Sequence, residues 1–210
     1  MGEITHEKIE QYFYGLLPER DEVLREMEEQ AKQRRIPIIG PAVGRLFFQL
    51  ARITGARTVF EMGSAIGYST IWWARGVGEN GRVIYTDSDP ANAAEARAYL
   101  RRAGVLARVE MRVGNALELL AEESGLFDVV FNDVDKQDYP RVLPLARTRV
   151  RQHGLFITDN TLWHGRVIEN PPQSEATRAV LEFNRALYAS PDFYTTLLPL
   201  RDGVSVALRL

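Results

Sequence analysis

The sequence of 210 residues contains no cysteine. That absence excludes disulfides, thiolate nucleophiles and every zinc or iron–sulfur centre that needs sulfur ligands, and it suits a cytoplasmic setting. Histidine is scarce too. His6, His153 and His164 are the only three, and no two stand at the i, i+4 spacing of a helical ligand pair, so any bound metal is expected to be held by oxygen. Neither sign of charge prevails: 26 Lys and Arg face 28 Asp and Glu, a formal net charge of -2, which creates no global field for polyanions. No apolar run approaches the length of a membrane span, and Met1-Gly-Glu-Ile-Thr-His lacks the apolar segment of a secretion signal, so neither is expected. Position 6 is His6 where a myristoylation signal after Gly2 would carry Ser or Thr. The remaining composition, 45% hydrophobic and 26% charged, is that of one soluble globular domain.

Within that domain the texture changes once. Residues 1–55 read as an N-terminal helical cap: charged helical segments broken at Leu17-Pro18, then a helix opened by Gly40-Pro41 with Val43, Leu46, Phe47 and Leu50 on one face. Residues 56–210 read as an α/β core. Short runs rich in Val, Ile and Phe begin at Thr58, Val83, Val109, Phe127 and Gly154 and alternate with helical stretches, which predicts a parallel sheet with right-handed crossovers. The end differs. Runs from Phe193 and from Val204 flank Leu200-Arg-Asp-Gly, the signal of an antiparallel hairpin closing the sheet.

Three stretches carry chemistry. The first run leads into Glu61-Met-Gly63-Ser64-Ala-Ile-Gly67-Tyr-Ser69, and Asp87 ends the next run twenty positions beyond Gly67. Glycines before a helix and an acid for ribose hydroxyls suggest an adenosine cofactor. The pattern is not Gly-x-Gly-x-x-Gly, and Glu61 would repel a pyrophosphate, so a cofactor with a cationic end is expected over NAD(P). S-adenosylmethionine is one, its carboxylate within reach of Ser64, Ser69 and nearby amides. A plain structural turn is the simpler reading, set aside because Gly114-Asn115-Ala116 follows the third run.

The fourth run ends in Asp133-Val-Asp135-Lys136 and the fifth in Asp159-Asn160. On neighbouring parallel strands, Asp133, Asp159 and Asn160 would converge as three oxygen ligands for a hard divalent cation such as Mg²⁺; as single residues they would read as helix caps. Lys136 is one of only three lysines in a chain with 23 arginines. An amine can surrender its proton where a guanidinium cannot, which makes Lys136 a candidate general base, with a retained surface lysine as the alternative.

With these motifs in order, residues 36–210 resemble the cation-dependent class I O-methyltransferases, the family of catechol and caffeoyl-CoA O-methyltransferases; Asp159-Asn-Thr-Leu-Trp-His-Gly165 is the most specific stretch. The resemblance implies a Rossmann-like fold with a seven-stranded, mostly parallel sheet ending in an antiparallel hairpin. It places Glu61, Gly63, Ser64, Ser69, Asp87, Ala116, Asp133 and Asp135 at S-adenosylmethionine, and Asp133, Asp159 and Asn160 on the metal. Lys136 would activate the hydroxyl, Trp163 and His164 would meet a small catechol-like or phenolic acceptor, and a homodimer is implied. The chain departs from the plant enzymes at Ile39 and His164, and the short span from Asn115 to Asp128 leaves no room for a CoA-recognising insertion. Leu16-Leu-Pro-Glu-Arg, Ile36-Pro-Ile-Ile and Ala65-Ile-Gly-Tyr-Ser are also similar to bacterial tRNA 5-hydroxyuridine methyltransferases. For tRNA the basic patch would be Arg34, Arg35, Arg147, Arg149 and Arg151, which equally suit a solvated helix end. The rivals from other classes are an NAD(P)-dependent oxidoreductase and a non-catalytic binding module.

Overall fold

The computed structural model describes residues 6–210. Three helices come first, α1 (Glu7–Gly15), α2 (Glu22–Arg34) and α3 (Gly40–Ile53). Strands and helices then alternate through β1 (Thr58–Met62), α4 (Tyr68–Gly76), β2 (Arg82–Asp87), α5 (Pro90–Arg102), β3 (Val109–Val113), α6 (Ala116–Glu122), β4 (Phe127–Asn132), α7 (Tyr139–Arg149) and β5 (Val150–Thr158). Helix α8 (Glu175–Ala189) precedes the antiparallel strands β6 (Phe193–Leu198) and β7 (Val204–Arg209). The seven strands lie in the order β3-β2-β1-β4-β5-β7-β6. The expected sheet is therefore present, and its order reverses direction between β1 and β4, where open α/β sheets form a ligand crevice.

Both faces of the sheet are covered, as the continuous apolar character of its strands requires. Successive residues on a strand point to opposite faces, so Val59 and Val129 join one core with α2 to α5, while Phe60 and Val130 join the other with α6 to α8. In the first core the rings of Phe47 and Trp73 stack at 4.3 Å and Phe131 meets Phe47 edge-on at 4.6 Å. Leu24 and Met27 of α2 belong to that same core, so the boundary near residue 55 is one of chain order and not of packing. Helix α1 differs: it buries none of its residues. Among the described residues no helix is long and apolar enough to cross a membrane.

Strand β5 begins four residues earlier than the apolar run at Gly154. The polar segment Arg151-Gln-His bulges out of the ladder: Phe127 of β4 pairs with Val150 and Val129 with Leu155, and His153 takes a positive φ. A bulge takes up the extra polar residues, so the strand starts before the apolar pattern does.

Opposite the crevice, Asp128 staples the strand starts. Its Oδ2 accepts from the backbone N–H groups of Arg57 and Thr58, both at 2.8 Å, and Oδ1 accepts from Arg151 Nε at 2.5 Å. Burial alone would raise the Asp128 carboxyl, but Arg151 and the two amides outweigh it and hold it below its ordinary value. A depressed carboxyl contributes stability above its unfolded-state pKa near 4, and that contribution disappears as pH falls through the lower folded value. Asp128→Ala is expected to cost about 2 kcal/mol at pH 7, with the gap to wild type narrowing in acid. Denaturant titrations at pH 7 and pH 3 check this; a gap independent of pH would contradict it.

Candidate active site

The backbone ladder continues past the strand ends. Asp133 N–H donates to Met62 O at 2.9 Å, Asp159 N–H to Asn132 O at 3.1 Å, and Ser64 N–H to Thr86 O at 2.9 Å. The tips of β1, β2, β4 and β5 are thereby held side by side, about 5 Å apart. Gly63 and Gly67 adopt φ of +82° and +85°, a region that costs a side chain about 1 kcal/mol or more. At Gly63 space matters as well, because an added Cβ would lie 2.5 Å from Asp133 O.

This turn roofs a cavity of about 340 Å³ lined by Gly63, Asp87, Ala116, Asp133 and Asp135, together with Lys136 and Asn160. Asp87 is tied at both oxygens, Oδ2 accepting from Ala65 N–H at 2.9 Å and Oδ1 from Asp89 N–H and Asn92 Nδ2. Oδ2 keeps a lone pair for a hydroxyl. Glu61, Ser64 and Ser69 do not line this cavity. Strand parity turns Glu61 to the α4 side, where it is fully buried and accepts from Thr70 Oγ1 at 2.5 Å. Burial pushes its carboxyl up to about 7 against the hydrogen bonds of Ser69, Thr70 and Ser64. Its Oε1 has no hydrogen-bond partner among the described residues.

Asp159 is buried and Asp133, on the neighbouring strand end, is half-buried. Burial, then the proximity of Asp133, pushes the Asp159 carboxyl up to about 7, and burial likewise raises Asp133 against the pull of Lys136. Neither caps a helix. Asp159 Oδ1 is buried with no partner, while Lys136 Nζ donates to Asp133 Oδ1 at 3.0 Å. Lys136 lies 5.3 Å from the ring centre of Tyr139 and 5.7 Å from that of Trp163. The Tyr139 hydroxyl donates to Asp159 O at 2.9 Å, fixing the backbone of that carboxylate from α7. Among the described residues no three His, Asp or Glu side chains are grouped as metal ligands; the oxygen set on offer is two carboxylates and the Asn160 amide.

A second cavity, of about 770 Å³, opens on the other side of Lys136. Asp159, Asn160, Trp163 and His164 line it from the loop after β5, α2 supplies Glu28 and Lys32, and Arg201 and Asp202 enter from the β6–β7 turn. Asp135, Lys136 and Asn160 line both cavities. Pattern reading did not find Glu28, Arg201 or Asp202. Glu28 accepts from Tyr68 Oη at 2.7 Å and pairs with Arg20 at 2.8 Å, and Arg201 donates to Ile38 O at 2.6 Å. Such contacts, spanning 40 and 163 positions, leave no local periodicity to detect.

The arginines considered as a nucleic-acid patch are otherwise engaged. Arg34 pairs with Glu95, Arg147 with Asp192 and Arg151 with Asp128, while Arg149 donates to the carbonyls of Leu120 and Ala121. Arg147, Arg149 and Arg151 surround the start of β5, at the edge of the sheet opposite the cavities. Arg35 alone of the group lines the second cavity.

Comparison with known proteins matches this arrangement over nearly the whole chain. The O-methyltransferase family model matches residues 17–210. A catechol O-methyltransferase of Niastella koreensis is 31% identical, the match covering 99% of each chain, and caffeoyl-CoA O-methyltransferase 1 of Arabidopsis thaliana is 29% identical over 93% of this chain and 81% of its own. Among solved structures, an O-methyltransferase from Bacillus cereus in complex with SAH has a TM-score of 0.87 at 31% identity, covering 97% of both chains. TomG of Streptomyces achromogenes, an O-methyltransferase of tomaymycin synthesis in complex with SAM, has a TM-score of 0.85 at 29% identity, covering 96% of both chains. With a family model matched over residues 17–210 and a relative of 31% identity covered almost end to end, the chain belongs to the O-methyltransferase family.

Proposed function

We propose that the chain transfers the methyl group of S-adenosylmethionine to a hydroxyl of a small catechol-like or phenolic acceptor, with a hard divalent cation such as Mg²⁺ held by Asp133, Asp159 and Asn160. One observation carries this reading: a desolvated carboxylate pair, one oxygen of it unpartnered, at the junction of two cavities that share Asp135, Lys136 and Asn160. Two buried like charges are unfavourable unless a cation lies between them, and an all-oxygen donor set suits a hard one. The cofactor relatives bind fits the first cavity, where Gly63 keeps the wall clear and Asp87 offers an oxygen to ribose hydroxyls. When bound, the cofactor supplies an electrophilic methyl group and the cation acidifies and orients the acceptor hydroxyl.

The chain's own residues then divide the work. Glu61, poised near neutrality beneath the turn, provides negative potential for a cationic cofactor. Trp163 and His164 flank the acceptor in the second cavity, and the walls exclude bulk water, which strengthens every charge interaction inside. Lys136 Nζ, which donates to Asp133 Oδ1 at 3.0 Å, would first release a proton to solvent, and its neutral amine would then take the acceptor proton. The internal pairing of Arg34, Arg147, Arg149 and Arg151 supports a small acceptor over tRNA. A homodimer belongs to the same reading: Ile9 and Tyr12 of α1 and Leu16 at its C-cap are exposed at helical spacing, a stripe that a second copy would cover.

Chelation with EDTA is expected to lower methyl transfer by on the order of 100-fold or more, with readdition of Mg²⁺ or Mn²⁺ restoring it. Asp159→Ala should reproduce that loss while leaving SAH binding by calorimetry largely intact; full turnover in excess EDTA would sink the metal reading. For the proton transfer, Lys136→Arg should be as defective as Lys136→Ala, each slowed by about 100-fold or more in single-turnover assays. Near-normal turnover of the Arg variant would reduce Lys136 to a holder of charge. Sedimentation at micromolar concentration should give twice the 23.8 kDa chain mass, and a fully active monomer would refute the dimer.

A further inference from the structure

Asp202 reaches the site from the turn between β6 and β7, where the sequence shows only the Asp of an Asp-Gly pair. The fold clamps that turn to the loop after β5: Thr161 N–H donates to Gly203 O at 3.0 Å and Leu162 N–H to Asp202 O at 2.8 Å. A Cβ on Gly203 would lie 2.6 Å from Leu162 Cγ, so the two loops approach as closely as glycine permits. The half-buried Asp202 carboxylate then meets the loop through both oxygens. Oδ2 accepts from Asn160 Nδ2 at 3.2 Å and lies 3.5 Å from His164 Nδ1, while Oδ1 accepts from the backbone N–H of His164. Asn160, Trp163 and His164 all have left-handed backbone angles, φ 53°, 46° and 55°. Such a loop needs outside contacts to hold its shape.

The contact with Asn160 decides more than loop shape. An amide has an oxygen end and an NH₂ end, and only the oxygen ligates a hard cation. An ionised carboxylate only accepts, so the end of Asn160 facing Asp202 must be NH₂, and Oδ1 is directed away from Asp202. We propose that Asp202 is a positioning residue that fixes Asn160 with its amide oxygen, and not its NH₂, presented to the divalent cation. This rests on the metal reading above and deepens it. The interaction is of the kind that orients metal ligands from behind, where a substitution weakens metal affinity by about 10- to 100-fold.

The test is Mn²⁺ binding to the metal-stripped full chain, followed by calorimetry, in a double-variant cycle. Asp202→Asn is expected to weaken Mn²⁺ by about 10- to 100-fold with SAH affinity unchanged, which also shows that the variant is folded. In an Asn160→Asp background either carboxylate oxygen can ligate and no orientation needs choosing, so adding Asp202→Asn should cost nothing further. An equal loss in both backgrounds would overturn the proposal and leave Asp202 as loop support or distant charge, and no loss in the wild-type background would overturn it outright. Wild-type protein that fails to bind Mn²⁺ would overturn the metal reading, and this role with it. Should Asp202→Asn not fold, exchange of the Asn160 side-chain amide protons in the wild-type protein decides. Slowed exchange supports the carboxylate contact, and exchange as fast as in a free amide overturns it.

Discussion

Three backbone hydrogen bonds made beyond the ends of the strands, from Asp133 to Met62, from Asp159 to Asn132 and from Ser64 to Thr86, govern this molecule's chemistry. A parallel ladder normally dissolves into loops at its carboxyl edge. Here it runs one residue further, so side chains that emerge there inherit the spacing of the sheet instead of the latitude of a loop. Gly63 accepts the consequence by giving up a side chain, and the half-buried Asp133 and the buried Asp159 accept it by emerging side by side on adjacent strand ends. The geometry is rigid because backbone, which has few alternatives, sets it.

Electrostatically the site is in debt. Glu61, Asp133 and Asp159 are carboxylates in one desolvated region, and burial is the first cause of the raised position of all three. The chain offers Lys136 directly and Arg201 at longer range. That imbalance would be a defect in a purely structural core, where buried charges are paired. In a cleft between two cavities it stores negative potential that suits the cationic methyl donor and the metal proposed above.

How far the sequence revealed this depended on whether a residue's role is local. Strand-end acids, the glycine turn and the alternation of apolar runs are properties of short windows, and they located Gly63, Asp87, Asp133, Lys136, Asp159 and Asn160 at the cavities. Side-chain direction was harder: Glu61, Ser64 and Ser69 belong to the turn yet are buried behind it, because parity along β1 points Glu61 toward α4. The start of β5 was hidden by polar residues that bulge out of the ladder between Val150 and Leu155. Arg201 and Asp202 were invisible for another reason. They reach the site only because β7 lies between β5 and β6, and strand order is set by global packing that no window contains. The basic residues near Arg149, which suited a basic patch and a solvated helix end equally, hold separate partners at the far end of the sheet: Arg147 and Arg151 form ion pairs and Arg149 donates to backbone carbonyls.

The hydrogen bond from Arg201 to Ile38 joins positions 163 apart. Closing so long a span is entropically expensive, and the cost is recovered only after the intervening sheet exists to bring the ends together. The second cavity is therefore expected to close late in folding and, resting on loops and a half-buried helix edge, to loosen early under stress. A preparation can keep its spectroscopic signature, its hydrophobic core and its first cavity while the second has already come apart.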